Sequence, residues 1–546
     1  MALALGEDRD GWLCQLDASG RPLSPPRHAA DAMAEIARTE ANDGPRWVLA
    51  RSARDYPRLL AASVRIDRCV DVSLTEAILL SAEGHALEPP SVAAAHARLH
   101  GRPLPDESAP RPTTQDTLFD TRPPSDGRAD LDALVEVFAS QLSRHTTAAL
   151  KLLTAAESVG GLIAAEMTHH GLPWRADVHD QILTDLLGPR PARGLRPKRL
   201  QSLADEVNSH FAQPFNPDSP QQVMQAFRTA GHPIESTRAW ELRDVDHPSV
   251  APLLRYKELS RIHSAHGWNW AARWVGDGPD GPGSRQRRLR GEYVVGGVVT
   301  GRWATDGGGA LQIPKAIRRA ATADAGHKLV VADASQLEPR VLAAMAGDRE
   351  MTAAAVADDL YAALAPTFGG VRDDAKIALL SAMYGGTAGN ASALLHVLRQ
   401  RFPQAYELVE DAARTGERGG IVSTWLGRSC PPAGDRWWSA LAGSNGTRAA
   451  RDRGRFTRNF VVQGTAAEWA LAMMGLLRRR LWSGGLGDLV FFQHDEIIVH
   501  CRHEVARQVV EEIAAASEAA TVLLFGETDV RIPLKGTIVD SYGDAK

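Results

Sequence analysis

The sequence predicts an α/β multidomain protein, and three features carry that prediction. Over residues 1–100, short strand-like runs such as Arg46 to Arg51 alternate with helical patterns, as in a small α/β unit. Six prolines interleaved with Ser, Thr and Asp between Gly101 and Ala129 mark a linker or a poorly ordered loop. From Asp130 to about His266 the pattern is mostly helical, and from Gly267 strands return with helices between them. At 546 residues the chain is long enough for more than one domain, and at 44% hydrophobic it can bury a sizeable core.

Composition excludes several classes. The four cysteines, Cys14, Cys69, Cys430 and Cys501, are scattered with no C-x-x-C pair, which argues against a zinc module or disulfide framework and fits a reducing cytosol. The opening stretch MALALGEDRD is too short and too acidic for a signal peptide, and no apolar run reaches the roughly 18 residues of a membrane span. A net charge of −4 gives no global attraction to nucleic acid, so any basic surface is local. Two stretches supply one. Ser284 to Arg319 carries eight Lys/Arg against Glu292 and Asp306, and Thr447 to Arg458 carries five Arg against Asp452. Such fields suit a phosphate backbone lying in a channel; a solvated basic face is the alternative.

Taken in chain order, three segments bear chemistry. In KLVVADASQLEPRVLAAMAG a strand over Leu329 to Ala332 delivers Asp333 at its end, and Glu338 opens a helical pattern with Val341, Leu342 and Met345 on one face. Taken alone, Asp333 reads as a helix N-cap. In RDDAKIALLSAMYGG, Arg372, Lys376, Leu379 or Leu380, and Met383 or Tyr384 fall on one helical stripe. Cations at its start and an aromatic near Gly385 could grip a triphosphate and stack on a base; an amphipathic helix with a basic rim is the alternative. In FFQHDEIIVH, Asp495 and Glu496 sit near a tight turn between two apolar strands. Two carboxylates on neighbouring strand ends can hold a pair of Mg²⁺ ions, and hard oxygen ligands favour Mg²⁺, or Mn²⁺ in its place, over zinc.

These motifs together resemble the family A DNA polymerases, the bacterial DNA polymerase I type. DASQLEPR (Asp333 to Arg340) is similar to that family's motif A, RDDAKIALLSAMYGG to motif B and QHDEIIV to motif C. TGRWATDGGGALQIP, RFTRNFVVQGTAAEWALAMM, FNPDSPQQVMQAF and LLRYKELSRIHSAHGWNW follow further family segments in order, so the likeness runs from roughly Asp130 to Lys546. The resemblance implies a right-hand polymerase with helical thumb and fingers and an antiparallel-sheet palm. Its expected divisions are thumb and connecting helices over 130–266, palm over 267–345 and 441–546, and fingers over 346–440.

The resemblance also implies residue roles. Asp333 and Asp495 are the metal-binding carboxylates, and Glu496 orders the site and helps place the primer terminus. Arg372 and Lys376 hold the incoming triphosphate, with Lys376 as general acid for pyrophosphate. Gln336, Glu338, Leu380 and Tyr384 contact the nucleotide, Glu338 as the gate against a ribose 2′-hydroxyl and Tyr384 near the template base. Arg302, Gln312, Arg455, Asn459, Gln463 and His494 lie along the primer–template duplex. The implied partners are primer–template DNA and dNTPs, for a monomer in the cytoplasm at the nucleoid, with no membrane partner. A bifunctional 3′–5′ exonuclease and polymerase, and a non-catalytic primer–template binder, are the competing readings.

Several positions depart from the family pattern. Ala334 replaces a Tyr, Pro339 a Leu, and Leu380 a Phe or Tyr; Asp333 and Arg372 are 39 positions apart (372 − 333), which suggests trimmed fingers. Residues 1–150 resemble the family's 3′–5′ exonuclease domain, with a core over 1–100 and Asp71 where that domain has F-D-T. The D-x-E of the first exonuclease strand is missing, as though the chain began after that strand. Asp8–Asp10 is a poor substitute, and the Tyr expected four residues before Asp130 is Asp126. The domain is therefore expected to be a degenerate relic, with Asp71 and Asp130 serving as caps or surface charges.

Overall fold

The fold is that of a computed structural model describing residues 1–6, 9–105, 127–278, 286–305, 312–385 and 391–545. Its first layer is a five-stranded sheet of β1 (Ala2–Leu5), β2 (Gly11–Cys14), β3 (Arg27–Ala29), β4 (Arg46–Leu49) and β5 (Arg68–Asp71), in the order β3-β2-β1-β4-β5. β1 runs antiparallel to β2 and parallel to β4. Helices α1 (Ala32–Asp43), α2 (Ser52–Ala61), α3 (Val72–Ala82) and α4 (Val92–Leu99) connect and flank it. The expectation that the chain begins after the first strand is corrected here. The strand is present at the centre of the sheet, and it carries Ala2-Leu3-Ala4-Leu5 where carboxylates would be needed. Ala2 and Leu3 are buried because both faces of the sheet are covered.

The next helix, α5 (Gly127–Arg144), corrects the expected boundary near residue 100. Its Leu131, Leu134, Val135 and Val137 share one core with Ala2, Cys14, Val48 and Val72, so α5 completes the first layer. Of the stretch expected to be a linker, residues 106–126 lie outside the described residues. Asp130 is exposed in the first turn of α5, and Asp126 falls outside the described residues, as does Asp8. Asp71 caps α3 from within the core. It accepts hydrogen bonds from the Ser52 amide (2.6 Å), the Ser52 hydroxyl (2.6 Å) and the Leu74 amide (2.9 Å).

A buried helix, α6 (Ala148–His170), joins this layer to the rest. Beyond it β6 (Leu172–Arg175), β7 (Val275–Asp277) and β8 (Gln286–Leu289) form a small antiparallel sheet. Between β6 and β7 lies a helical lobe of α7 (Ala176–Leu187), α8 (Lys198–Ser209), α9 (Pro220–Thr229), α10 (Ala239–Arg243), α11 (Val250–His266) and α12 (Trp268–Trp274). It has two apolar cores of its own, around Leu183, Leu200 and Tyr256, and around Val223, Phe227 and Leu253. The ribbon of β9 (Tyr293–Val294) and β10 (Ala304–Thr305) leads into β11 (His327–Ala334).

After β11 come α13 (Leu337–Ala346), α14 (Arg349–Ala354), α15 (Leu360–Leu364), α16 (Arg372–Tyr384), α17 (Ala391–Arg401), α18 (Pro403–Glu417) and α19 (Asp435–Ala442). The 39-residue α20 (Gly446–Gly484) follows, then β12 (Asp488–Gln493), β13 (Glu496–Arg502), α21 (Ala506–Phe525) and β14 (Leu534–Val539). The central sheet is antiparallel, in the order β12-β13-β11-β14. Its strands are apolar nearly throughout because both faces are covered. Val330 and Ala332 point into the core that holds α20, while Leu329 and Val331 point into the core of Trp174, Phe491 and Tyr542.

Among the described residues two helices, α6 and α20, are long and apolar enough by composition to cross a membrane, contrary to the sequence expectation. Both are core helices: Leu153, Ile163 and Met167 of α6 and Trp469, Met473 and Leu477 of α20 are buried among the other elements. Two long core helices pass the same test as spans because a bundle interior and a lipid interior select the same side chains.

Candidate active site

The site is built at the end of the central sheet. Asp333 stands across from Glu496 in the β11–β13 ladder, and the Ala334 amide donates to the Asp495 carbonyl at 3.0 Å. His494 and Asp495 form a two-residue turn closed by the Gln493–Glu496 pair, with His494 in the left-handed region at φ 56°. Backbone pairing therefore fixes Asp333 and Asp495 beside one another, whatever their side chains do. Asp333 is not a helix cap: the N-cap of α13 is Gln336, itself at φ 61°. Glu496 faces inward, where the hydroxyl of the fully buried Tyr542 donates to its carboxylate. The Arg318 guanidinium lies 4.3 Å over the Tyr542 ring. Burial, then the Glu496 contact, pushes the Tyr542 hydroxyl far above its ordinary value, so it stays a donor.

Residues of α13 form the next wall. Arg340 is fully buried, and its guanidinium donates to the carbonyls of Ser335 (3.2 Å), Ala355 (2.7 Å), Ala357 (2.8 Å), Asp358 (2.8 Å) and Arg531 (2.7 Å). A buried cation satisfied mainly by main-chain oxygens, with one further bond to the Gln336 side-chain oxygen at 3.3 Å, locks the turn after β11 to the segment before α15. Gln336 adds a second tie: its amide donates to Asp359 at 2.8 Å, and its carbonyl oxygen accepts from the Leu360 amide at 2.8 Å. Glu338 accepts from both Arg302 and the Tyr384 hydroxyl, so it bridges α13 to α16 and to the segment before β11. Burial, then the Glu338 bond, raises Tyr384 to about 12.

The stripe on α16 is now resolved. Leu379 and Met383 are fully buried, so the face shared with Arg372 and Lys376 continues through Leu380 and Tyr384. Lys376 is exposed; Arg372 donates to Asp359 at 2.8 Å and lies 5.5 Å over the Tyr361 ring. Burial works to raise the Asp359 carboxyl, but hydrogen bonds from Arg372, the Ala362 amide and Gln336 outweigh it and hold it at about 2. The second glycine after α16, Gly386, lies outside the described residues, but Gly385 ends the helix at φ 70°. A Cβ there would meet the Arg455 side chain at 2.8 Å, so a glycine lets α16 close onto α20.

One face of α20 presents Arg455, Asn459 and Gln463 at four-residue spacing, and Arg455 is paired with Asp452. A cavity of about 470 Å³ opens between these elements, lined by Arg302, Gln336, Glu338, Leu380, Gln463, His494 and Asp495 with apolar walls from Trp303, Met474 and Phe492. The structure thus brings seven of the sequence-derived residues to one cleft, and Tyr384 adjoins them through its bond to Glu338. Gln312 lies apart, exposed and accepting from Arg261 of α11 at 3.4 Å. Sequence reasoning missed Asp359, Tyr361 and Tyr542. They act as counter-ion, platform and buried donor, and none stands in a motif that would have singled it out.

The sequence model for DNA polymerase family A matches residues 195–544. The chain belongs to DNA polymerase family A. DNA polymerase I of Chloroflexus aurantiacus is 28% identical over 421 residues, which are 67% of this chain and 43% of that protein. The thermostable DNA polymerase I of Thermus aquaticus is 29% identical over 292 residues, 48% of this chain and 33% of its own. The chain thus spans less than half the length of these relatives. Among solved structures, the polymerase domain of Pol1 from M. smegmatis, in complex with DNA primer-template and dNTP, superposes with a TM-score of 0.75 at 18% identity. The match covers 99% of this chain and 97% of that one, which establishes a shared fold from the N-terminal layer onward. Family A polymerases are metal-dependent.

Proposed function

We propose that this family A member is a DNA-templated DNA polymerase that adds dNTPs to a primer 3′ end, in an auxiliary or repair role. The observation that carries the reading is the backbone-fixed adjacency of Asp333 and Asp495, beside a cleft walled by α13, α16 and α20. The donor set suits the metal the chemistry needs, because two carboxylates offer the hard oxygens that Mg²⁺, or Mn²⁺ in its place, prefers. Two such ions on Asp333 and Asp495 would supply the activation of the attacking 3′-hydroxyl and the stabilisation of the leaving oxygen.

The chain's own residues do the rest. Arg372 and Lys376 bind the triphosphate, and Arg372 exchanges its Asp359 contact for phosphate oxygens. Lys376, exposed on the same face of α16 as Arg372, donates a proton to the departing pyrophosphate. Arg455, Asn459 and Gln463 follow the duplex. The polymerase works as a monomer in the cytoplasm at the nucleoid; its four free cysteines are all buried, in keeping with a reducing compartment. Primer extension with Mg²⁺ and dNTPs tests the activity, and a protein that shifts primer–template DNA without extending it would be the non-catalytic binder.

Glu338 sets sugar choice in this reading. Its carboxylate, held by Arg302 and Tyr384, fills space where a 2′-hydroxyl would sit. Glu338→Ala is expected to lower the dNTP/rNTP ratio of kcat/KM by roughly 10- to 100-fold, the discrimination carried by a small change in pocket volume. A ratio that does not fall removes Glu338 as the gate and turns attention to the room left by Leu380.

The N-terminal layer is not a nuclease in this reading. Its central strand is Ala-Leu-Ala-Leu, and Asp71 is spent on capping α3. Without a second set of carboxylates, two ions cannot be held for hydrolysis. A labelled 3′ end incubated with Mg²⁺ or Mn²⁺ and no dNTPs is expected to stay full length. Shortening that vanishes in Asp130→Ala would make the protein bifunctional.

A further inference from the structure

Away from the polymerase cleft, on the outer side of the N-terminal layer, three metal-ligating side chains converge. His96 and His100 stand one turn apart at the C-terminal end of α4, so they share a face. Glu136 faces them from α5. Nε2 of His96 lies 3.2 Å, and Nε2 of His100 2.8 Å, from the same Glu136 oxygen, Oε2. All three potential ligand atoms fall within 4.8 Å of one another, and among the described residues this is the one group of three or more His, Cys, Asp or Glu side chains so arranged.

The geometry points to a divalent transition-metal site, Zn²⁺ being the ion its ligands suit. Zinc takes imidazole nitrogen and carboxylate oxygen at about 2.0–2.2 Å, which sets the ligand atoms of a tetrahedral site roughly 3.3 Å apart. Both histidine nitrogens lie near that distance from the Glu136 oxygen, and the two nitrogens are within 4.8 Å of each other, so an ion can enter with side-chain rotations. Two histidines with one carboxylate form a recurrent zinc ligand set, with the fourth position left to water. Mg²⁺ and Ca²⁺ are disfavoured because they seek oxygen donors. The side chains of His100 and Glu136 are 43% and 53% exposed, so the ion reaches the site from solvent.

The consequence is structural. α4 ends just before residues 101–126 and α5 begins just after them, so the ion ties together the two helices on either side of that segment. It adds a cross-link to a layer held by apolar contacts and by the bonds of buried Glu76 to Arg98, Gln141 and Arg144. This use is independent of the catalytic ions, which Asp333 and Asp495 would hold through oxygen ligands.

The test uses the full, tag-free chain, stripped with chelator and titrated with Zn²⁺ against a chromophoric competitor. The wild type is expected to bind one equivalent that is lost in His100→Gln and in Glu136→Gln. That equivalent should raise the thermal unfolding midpoint of the wild type but of neither variant. His247→Gln removes a histidine from another ring cluster, His210, His232 and His247, and should leave the equivalent in place. Primer extension with Mg²⁺ should be the same in all three variants, which shows that they are folded. Zinc retained by both ligand variants, or no zinc bound by the wild type, overturns the assignment.

Discussion

Asp333→Ala or Asp495→Ala is expected to abolish primer extension while leaving primer–template binding nearly unchanged. Each change removes half of the carboxylate pair that would hold the catalytic ions. Their transition-state stabilisation is worth several kcal/mol, a loss of roughly 10³-fold or more in rate. The fold should survive, because the bond joining the two strands at this point runs from the Ala334 amide to the Asp495 carbonyl and needs neither side chain. Duplex binding should survive as well, since it rests on basic and polar side chains of α20 and the segments around it. Extension rates with labelled primer, set against mobility shifts on the same duplex, separate the two effects. Extension above a few per cent of wild type in either variant would falsify the metal assignment.

The largest stability effect is expected at Glu166. It is buried in α6, where its carboxylate accepts from Arg478 of α20 at 2.7 and 2.9 Å, from Arg65 at 3.0 and 3.1 Å and from the Tyr56 hydroxyl at 2.5 Å. Arg478 also donates to the carbonyls of Ile66 (2.5 Å) and Asp67 (2.8 Å), so it joins α20 to the first layer. Glu166→Ala leaves the fully buried Arg478 without its carboxylate, and breaking a buried pair from one side costs about 3–5 kcal/mol. Pairing Arg478→Met with Glu166→Leu should recover much of that loss, because no charge is then left buried. Denaturant midpoints of the wild type, the single and the double variant check both statements.

The same network sets an acid limit. Burial alone would raise the Glu166 carboxyl, but Arg478 and Arg65 outweigh it and hold it at about 2, below the ordinary glutamate value. A depressed folded-state value means that the stabilisation is fully present above the unfolded-state range, near pH 4–5. It is lost as pH falls from there through about 2. Glu166→Ala should therefore flatten the stability profile below pH 5.

Much of the cleft was legible in the sequence because its chemistry is bound to strand ends. A polar residue closing an apolar run, as at Asp333 and Asp495, is visible in one dimension, and strand pairing then brings the two together. Arg372 and Lys376 were legible for a similar reason: helix periodicity alone places them on one face. What stayed hidden acts across distance in the chain. Asp359 and Tyr542 look like ordinary loop and C-terminal residues until the fold sets them against Arg372 and Glu496. Arg340 closes the motif A stretch, but nothing in the sequence marks it as one of the most deeply buried residues. Nor did the first strand announce itself, because Ala-Leu-Ala-Leu carries neither β-branched residues nor the carboxylates by which such a strand would be sought.

The placement of α5 gives the covalent order of the chain a different weight from its spatial order. The peptide running from residue 106 to 126 precedes α5, yet α5 supplies Leu131, Leu134, Val135 and Val137 to the core built on β1 and β2. Two pieces separated by a cut in that stretch would each carry half of one apolar interior. The smaller would hold the whole five-stranded sheet and the larger the helix that seals it. The interior, together with the Arg478 bonds to Ile66 and Asp67, would then serve as a non-covalent clasp between them. In this protein the integrity of the N-terminal layer is a matter of side chains contributed from both sides of residues 106–126.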